Sequence, residues 1–264
     1  MIRSISKSIM AKLIIQFLIV GLIPLIGMGT LTYYLAKDAM KTEVFNHIAS
    51  VNSIKKVQVL EFLKDRMKNL TLLSRTQHIR TMLENKTYQE MSPLFEYYMK
   101  AFGYSDIILL GDNGKTIYSA AANTEYDPDS EVNVATEPAT RMLWDKIIES
   151  ELPTMTDILK FQEDLPPALF MGAPVYTDTG EMGAVLICQI NAARLNVLIA
   201  EHTGMGATGD TYIVGADLLM RSSSRFLGED IILKQKVDTQ TARQAFKNQA
   251  GTEAGADYRG IDVL

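Results

Sequence analysis

Ala168-Leu-Phe-Met-Gly-Ala-Pro-Val-Tyr176, Thr177-Asp-Thr-Gly-Glu181 and Met182-Gly-Ala-Val-Leu-Ile-Cys-Gln-Ile190 form the stretch that decides the fold. Two apolar runs rich in aliphatic and aromatic residues flank a short segment carrying Asp and Gly. That combination reads as two antiparallel strands joined by a tight turn. Upstream, Met155 to Phe161 is a third strand-like run. A short helix is expected over Ala139–Glu149, preceded by an irregular acidic region from Ala121 to Pro138. Before it, Ser105–Leu110 and Lys115–Ala120 flank Gly111-Asp-Asn-Gly114, another hairpin with the residues that such turns need. Five strands with a helical segment inserted after the second make a PAS-like antiparallel sheet. With the helices segregated to one face, the class is α+β.

Further upstream the period changes from two to between three and four. Tyr88, Met91, Leu94, Phe95, Tyr98 and Met99 share one side of a short helix. Met40, Val44, Ile48, Val51, Ile54, Val57, Leu60, Leu63, Met67 and Leu70 form one stripe on a long amphipathic helix over residues 36–74, about 58 Å in length. The stripe can cover the domain's own sheet or meet a second copy of the chain.

Leu13 to Leu35 is an apolar run with Gln16 as its only strongly polar member and no formal charge, and it is long enough to cross the ~30 Å core of a bilayer. Arg3, Lys7 and Lys12 precede it, whereas the flank behind it is mixed: Lys37, Asp38, Lys41, Glu43. The positive-inside bias leaves residues 1–12 in the cytoplasm and the remainder outside, anchored in the membrane. A cleavable signal peptide, cut near Ala36, is the rival reading.

Downstream of the deciding stretch, residues 191–203 read as a connecting helix with Ala192, Leu195, Leu198 and Ile199 on one side. Thr211–Val214 and Leu218–Ser222 repeat the strand, Gly/Asp turn, strand order, and Thr239–Asn248 is helical again. Ile261-Asp-Val-Leu264 looks like the start of another strand, so the second sheet module (204–264) is expected to be truncated.

Composition narrows the function classes. Hydrophobic residues make up 47% and charged ones 22%, a globular balance. A net charge of -5 with no Lys/Arg patch argues against nucleic acid as a partner. One cysteine, Cys188, and three scattered histidines offer neither a disulfide framework nor a zinc-type cluster, so no metal or cofactor is expected. Gly204-Met-Gly-Ala-Thr-Gly209 matches GxGxxG, but the helix precedes it and the strand follows, the reverse of a dinucleotide-binding turn. Glu125, Asp127, Asp129, Glu131 and Glu137 form a solvated loop or a weak cation trap, with spacing unlike an EF-hand. Neither GxSxG nor HExxH occurs and no nucleophile has a plausible base, so no catalytic residue is assigned.

The candidate binding residues cluster around the expected short helix. Arg141, Trp144 and Asp145 lie on it, and Trp144 either plugs the core or caps a pocket between helix and sheet. A guanidinium and an aromatic ring at i, i+3 suit a carboxylated ligand. Tyr118, Asp157, Phe161, Phe170 and Tyr176 sit on strands that could line the same cavity.

Three stretches carry a resemblance to a known family. They are Lys12-Leu13 with Phe17–Pro24, then Thr156-Asp157 through Ala168-Leu-Phe170, Ala173-Pro-Val175 and Gln189-Ile190, and finally Gly204–Gly215 with Asp217 and Leu219–Ser222. With Asp257-Tyr-Arg-Gly260, the assembly resembles the double Cache sensor domain of bacterial transmembrane receptors, of the methyl-accepting chemotaxis type. The resemblance implies a periplasmic small-molecule sensor whose membrane-distal module, residues 75–190, holds the ligand. It implies a homodimer that reaches cytoplasmic signalling proteins through a further, C-terminal part. Histidine kinases and nucleotide cyclases share such sensors. A membrane-anchored structural or adaptor domain without a ligand is the alternative of another class. Amino-acid-binding members carry an Arg-x-Trp-Tyr run, where this chain has Arg141-Met-Leu-Trp144-Asp145.

Overall fold

The computed structural model describes residues 9–122, 124–125, 138–160, 165–201, 204–228, 230–247 and 250–263. The chain divides into two compact units, residues up to Ser50 and Val51–Val263. One helix, α1 (Ile9–Ser74), contributes to both. The expected anchor and long amphipathic helix are therefore a single element, with Pro24 inside it. Among the described residues α1 is the one helix long and apolar enough to cross a membrane. In the first unit its large apolar side chains, such as Phe17, Leu25 and Leu31, are exposed.

In the second unit the last turns of α1 are buried through Leu70 and Leu73. The chain then breaks at Arg75-Thr76, and Thr76 caps α2 (Gln77–Asn85) by accepting from the Ile79 amide. This helix was missed in the sequence. A 3-10 turn over Tyr88–Met91 leads into α3 (Ser92–Phe102), which ends on Gly103 in the left-handed region that glycine tolerates best.

Six strands follow: β1 (Asp106–Gly111), β2 (Thr116–Ser119), β3 (Thr124–Glu125), β4 (Thr154–Met155), β5 (Ala168–Tyr176) and β6 (Met182–Asn191). Their order is β3-β2-β1-β6-β5-β4, and every pairing is antiparallel. Helix α4 (Pro138–Ser150) is inserted between β3 and β4. Two sequence expectations need correction. The acidic region holds a third strand at Thr124–Glu125, while Asp127, Asp129, Glu131 and Glu137 lie outside the described residues. The run expected as a strand over 155–161 is strand only at Thr154–Met155, followed by one backbone hydrogen bond from Thr156 to Phe170 and a bridge at Leu159. Asp157 diverts it by accepting the Ile158 amide with its own side chain.

The helices are not confined to one face. Along β6, Ala184, Leu186, Cys188 and Ile190 join a core shared with α1, α2, α3 and α5 (Ala192–Ile199). Val185 and Ile187 face the other way, into a core shared with Ala139, Leu143 and Ile147 of α4. Burial on both faces explains why β5 and β6 are apolar almost throughout instead of alternating. A one-sided sheet would have polar residues at every second position.

Beyond α5, Val214 pairs with Met220 in the expected second hairpin around Asp217, and Leu219 makes a separate bridge to Lys236. A six-residue helix α6 (Gln240–Ala245) and a two-stranded ladder, β7 (Gly255–Ala256) with β8 (Asp262–Val263), complete the described chain. This part holds single bridges and short ladders among its described residues, in place of a second broad sheet.

Candidate functional site

Helix α4 is anchored from below. Leu143 and Ile147 are fully buried against Phe170, Val185 and Ile187. Gly172 lets Ile147 come close, since a Cβ there would stand 2.6 Å from its Cδ1. The outer side of the helix carries three of the expected binding residues. Trp144 is half-buried, its ring lies over Gly114 of the β1–β2 turn, and its indole N–H donates to the Gly111 carbonyl at 3.1 Å. The Arg141 guanidinium lies 4.7 Å from the Trp144 ring centre and donates from Nε to Asp145 Oδ1 at 3.1 Å. Arg141 and Asp145 are both exposed. Arg141, Trp144 and Asp145 thus form one rim, with a cation stacked on an aromatic face and a carboxylate that an anionic ligand could displace.

The other expected residues go elsewhere. Phe170 is beneath α4, but as core. Tyr118 pairs with Leu109 in the register of β1 and β2 and packs 5.9 Å from Phe95, in the core on the opposite face of the sheet. It therefore cannot line a cavity under α4. Tyr176 is half-buried at the end of β5 and donates to the Glu151 carbonyl. Phe161 lies outside the described residues. Asp157 faces a partner 64 residues away: Arg221 donates to it from Nε at 3.0 Å and Nη2 at 2.9 Å.

Arg221 was legible only as part of a longer motif, yet it is the most completely bound side chain in this region. It also donates to Asp217 Oδ2 at 2.9 Å and to the Leu219 carbonyl at 3.0 Å. The hydrogen bond from Arg221 holds the Asp217 carboxyl below its usual pKa. Gly215 is required beside it, because a Cβ there would overlap the guanidinium.

An open depression of about 540 Å³ lies at the other face, bordered by Glu96, Lys100, Tyr104, Ala121 and Arg194. None of the expected binding residues borders it. Nearby, Asp106 is buried and accepts from the Ser119 hydroxyl and the Ala121 amide, both at 2.8 Å. Burial raises its pKa, although these hydrogen bonds pull it back. No cluster of three His, Cys, Asp or Glu side chains suited to a metal occurs among the described residues.

No protein-family model matches the sequence, and no curated protein matches it either. Solved structures do. The ligand-binding domain of the Campylobacter jejuni chemoreceptor Tlp3 in complex with 4-methylisoleucine aligns with a TM-score of 0.57 and 14% identity, over 79% of each chain. The same receptor's domain with L-valine gives 0.55 and 13%, over 76% of this chain and 78% of that one. The ligand-binding domain of the Pseudomonas aeruginosa PAO1 amino acid chemoreceptor PctC in complex with GABA gives 0.52 and 13%, over 81% of this chain and 86% of that one. The likeness is one of fold: this chain has the fold of chemoreceptor sensory domains.

Proposed function

We propose that the chain is the sensing half of a chemotaxis-type membrane receptor, without catalytic activity of its own. The observation that carries this reading is the fold shared with chemoreceptor ligand-binding domains over more than three quarters of the chain. The apolar run of α1 supports it, as the segment that crosses the inner membrane at residues 13–35 and leaves the rest extracytoplasmic. In this reading residues 36–74 continue the helix and 75–190 form the membrane-distal sensing module. Residues 191–203 connect it to a membrane-proximal module that begins at 204, and the receptor works as a homodimer.

The ligand is a small carboxylated metabolite, taken at the α4 rim by Arg141 across Trp144. The three solved complexes compared above, of two receptors' domains, hold an amino acid or a close analogue, which supports a carboxylate of that size. Thermal-shift screening of the purified chain against amino acids and other small carboxylates tests the reading. A hit is expected, and Arg141→Ala should weaken it at least about tenfold, the order of one charge-assisted hydrogen bond. Unchanged affinity in that variant would remove the rim from the site. A reporter fused after Thr42 is expected to be active only outside the cytoplasm. Cytoplasmic activity would overturn the topology.

A further inference from the structure

We infer that the Asp157–Arg221 ion pair is a latch coupling the α4-covered face of the sheet to the hairpin at residues 211–222. It rests on the sensing reading for its purpose, though not for its geometry. The two partners are unequal. The Arg221 side chain is 6% exposed, whereas that of Asp157 is 52% exposed. If Asp157 lets go, its carboxylate is already half in water. Arg221 still keeps Asp217 and the Leu219 carbonyl. Opening therefore strands no buried charge, which is the usual obstacle to breaking such a pair. A purely structural staple would gain nothing from this asymmetry, whereas an element with two satisfied states needs it.

Each side of the latch continues into the molecule. On the sheet side, the neighbouring Thr156 holds Phe170 twice: its amide donates to the Phe170 carbonyl at 2.9 Å, and its hydroxyl accepts from the Phe170 amide at 3.1 Å. Phe170 is core beneath α4. On the hairpin side, the Ser222 hydroxyl accepts from the Ile213 amide, and the Ser223 amide donates to Asn196 of α5 at 2.8 Å. Helix α5 is in turn gripped at its end by α1, because Lys55 donates to the Leu198 carbonyl at 2.7 Å. A shift of α4 thus has a continuous set of contacts to α5 and α1, and Asp157–Arg221 is the ion-paired, releasable step between the sheet and the hairpin. Contiguity alone does not establish coupling, so the test must measure coupling.

The measurement is amide hydrogen exchange on the full chain in nanodiscs, with no ligand added. Asp157→Asn keeps an acceptor for the Ile158 amide but removes the charge. It should raise exchange about tenfold both at residues 154–159 and at 213–222, as expected for loss of a well-formed ion pair. Arg221→Lys, which keeps the charge and loses the fork, should raise both together. The double variant should add little to either single one. Asp217→Asn, which touches only the hairpin's internal contact, should raise 213–222 alone. If Asp157→Asn leaves exchange at 213–222 unchanged, the latch is refuted. Should Arg221→Lys melt the hairpin outright, Asp157→Asn still decides, because it alters only the half-exposed partner. No ligand enters the experiment, so a failed ligand screen and a failed latch are separate outcomes.

Discussion

Trp144 is held at two points, by its hydrogen bond to Gly111 and by its ring against Gly114, and it supports Arg141 in turn. Replacing it with Phe removes this hydrogen bond and leaves the buried Gly111 carbonyl accepting from the Gly114 amide without the indole. We expect a loss of about 1 kcal/mol in urea unfolding. Asp106 gives a prediction with a sign. Its folded-state pKa is raised by burial. The stability it contributes is full below the unfolded carboxylate pKa of about 4 and is lost as pH rises through the folded value. Asp106→Asn keeps an acceptor for the Ala121 amide and should flatten the decline of stability above about pH 4, read from urea unfolding at a series of pH values. At this scale the sequence was informative only locally. Helical spacing brought Arg141, Trp144 and Asp145 together, as they are. The partner of Asp157 is 64 residues away, and no local pattern encodes it. Tyr118 was misplaced because a short, wholly buried strand gives no alternation from which to read a face.

At the scale of elements, α4 and the sheet stand or fall together. Leu143→Ala should cost about 2–5 kcal/mol, because the side chain is fully buried and its neighbours on β5 and β6 cannot collapse into the void. Gly172→Ala should cost about 1–3 kcal/mol by pushing on Ile147, and Ile147→Val should restore most of it, since that change removes the crowded methyl. Equal loss with and without Ile147→Val would rule out that contact as the cause. The elements legible beforehand were those with strong local signals. The paired apolar runs of β5 and β6 were one, the glycine turn between β1 and β2 another, and the short helix expected at Ala139–Glu149 a third. Helix α2 was lost because its start depends on a single Thr76 cap within an otherwise helical stretch. The third strand, β3, was lost because a two-residue edge strand has almost no pattern. The two-sided cover was implicit in the unbroken apolar character of β5 and β6. The expectation of helices on one face overrode it.

For the whole molecule, a ligand that binds the folded chain alone must stabilise it by mass action. At a hundredfold excess over Kd the gain is about 2.7 kcal/mol, which calorimetry of the full chain would register. A compound that bound without raising the unfolding temperature would be binding the unfolded chain as well. One feature of the core turns this into a practical clock. Cys188 is the only thiol in the chain and it is completely buried on β6, where burial pushes its pKa well above the ordinary value. A neutral-pH alkylating reagent therefore reacts with the native protein only as fast as the sheet opens. The folded chain behaves as a cysteine-free background: a single engineered surface thiol can carry a spin label or fluorophore, and the native sulfur stays silent until the fold itself is lost.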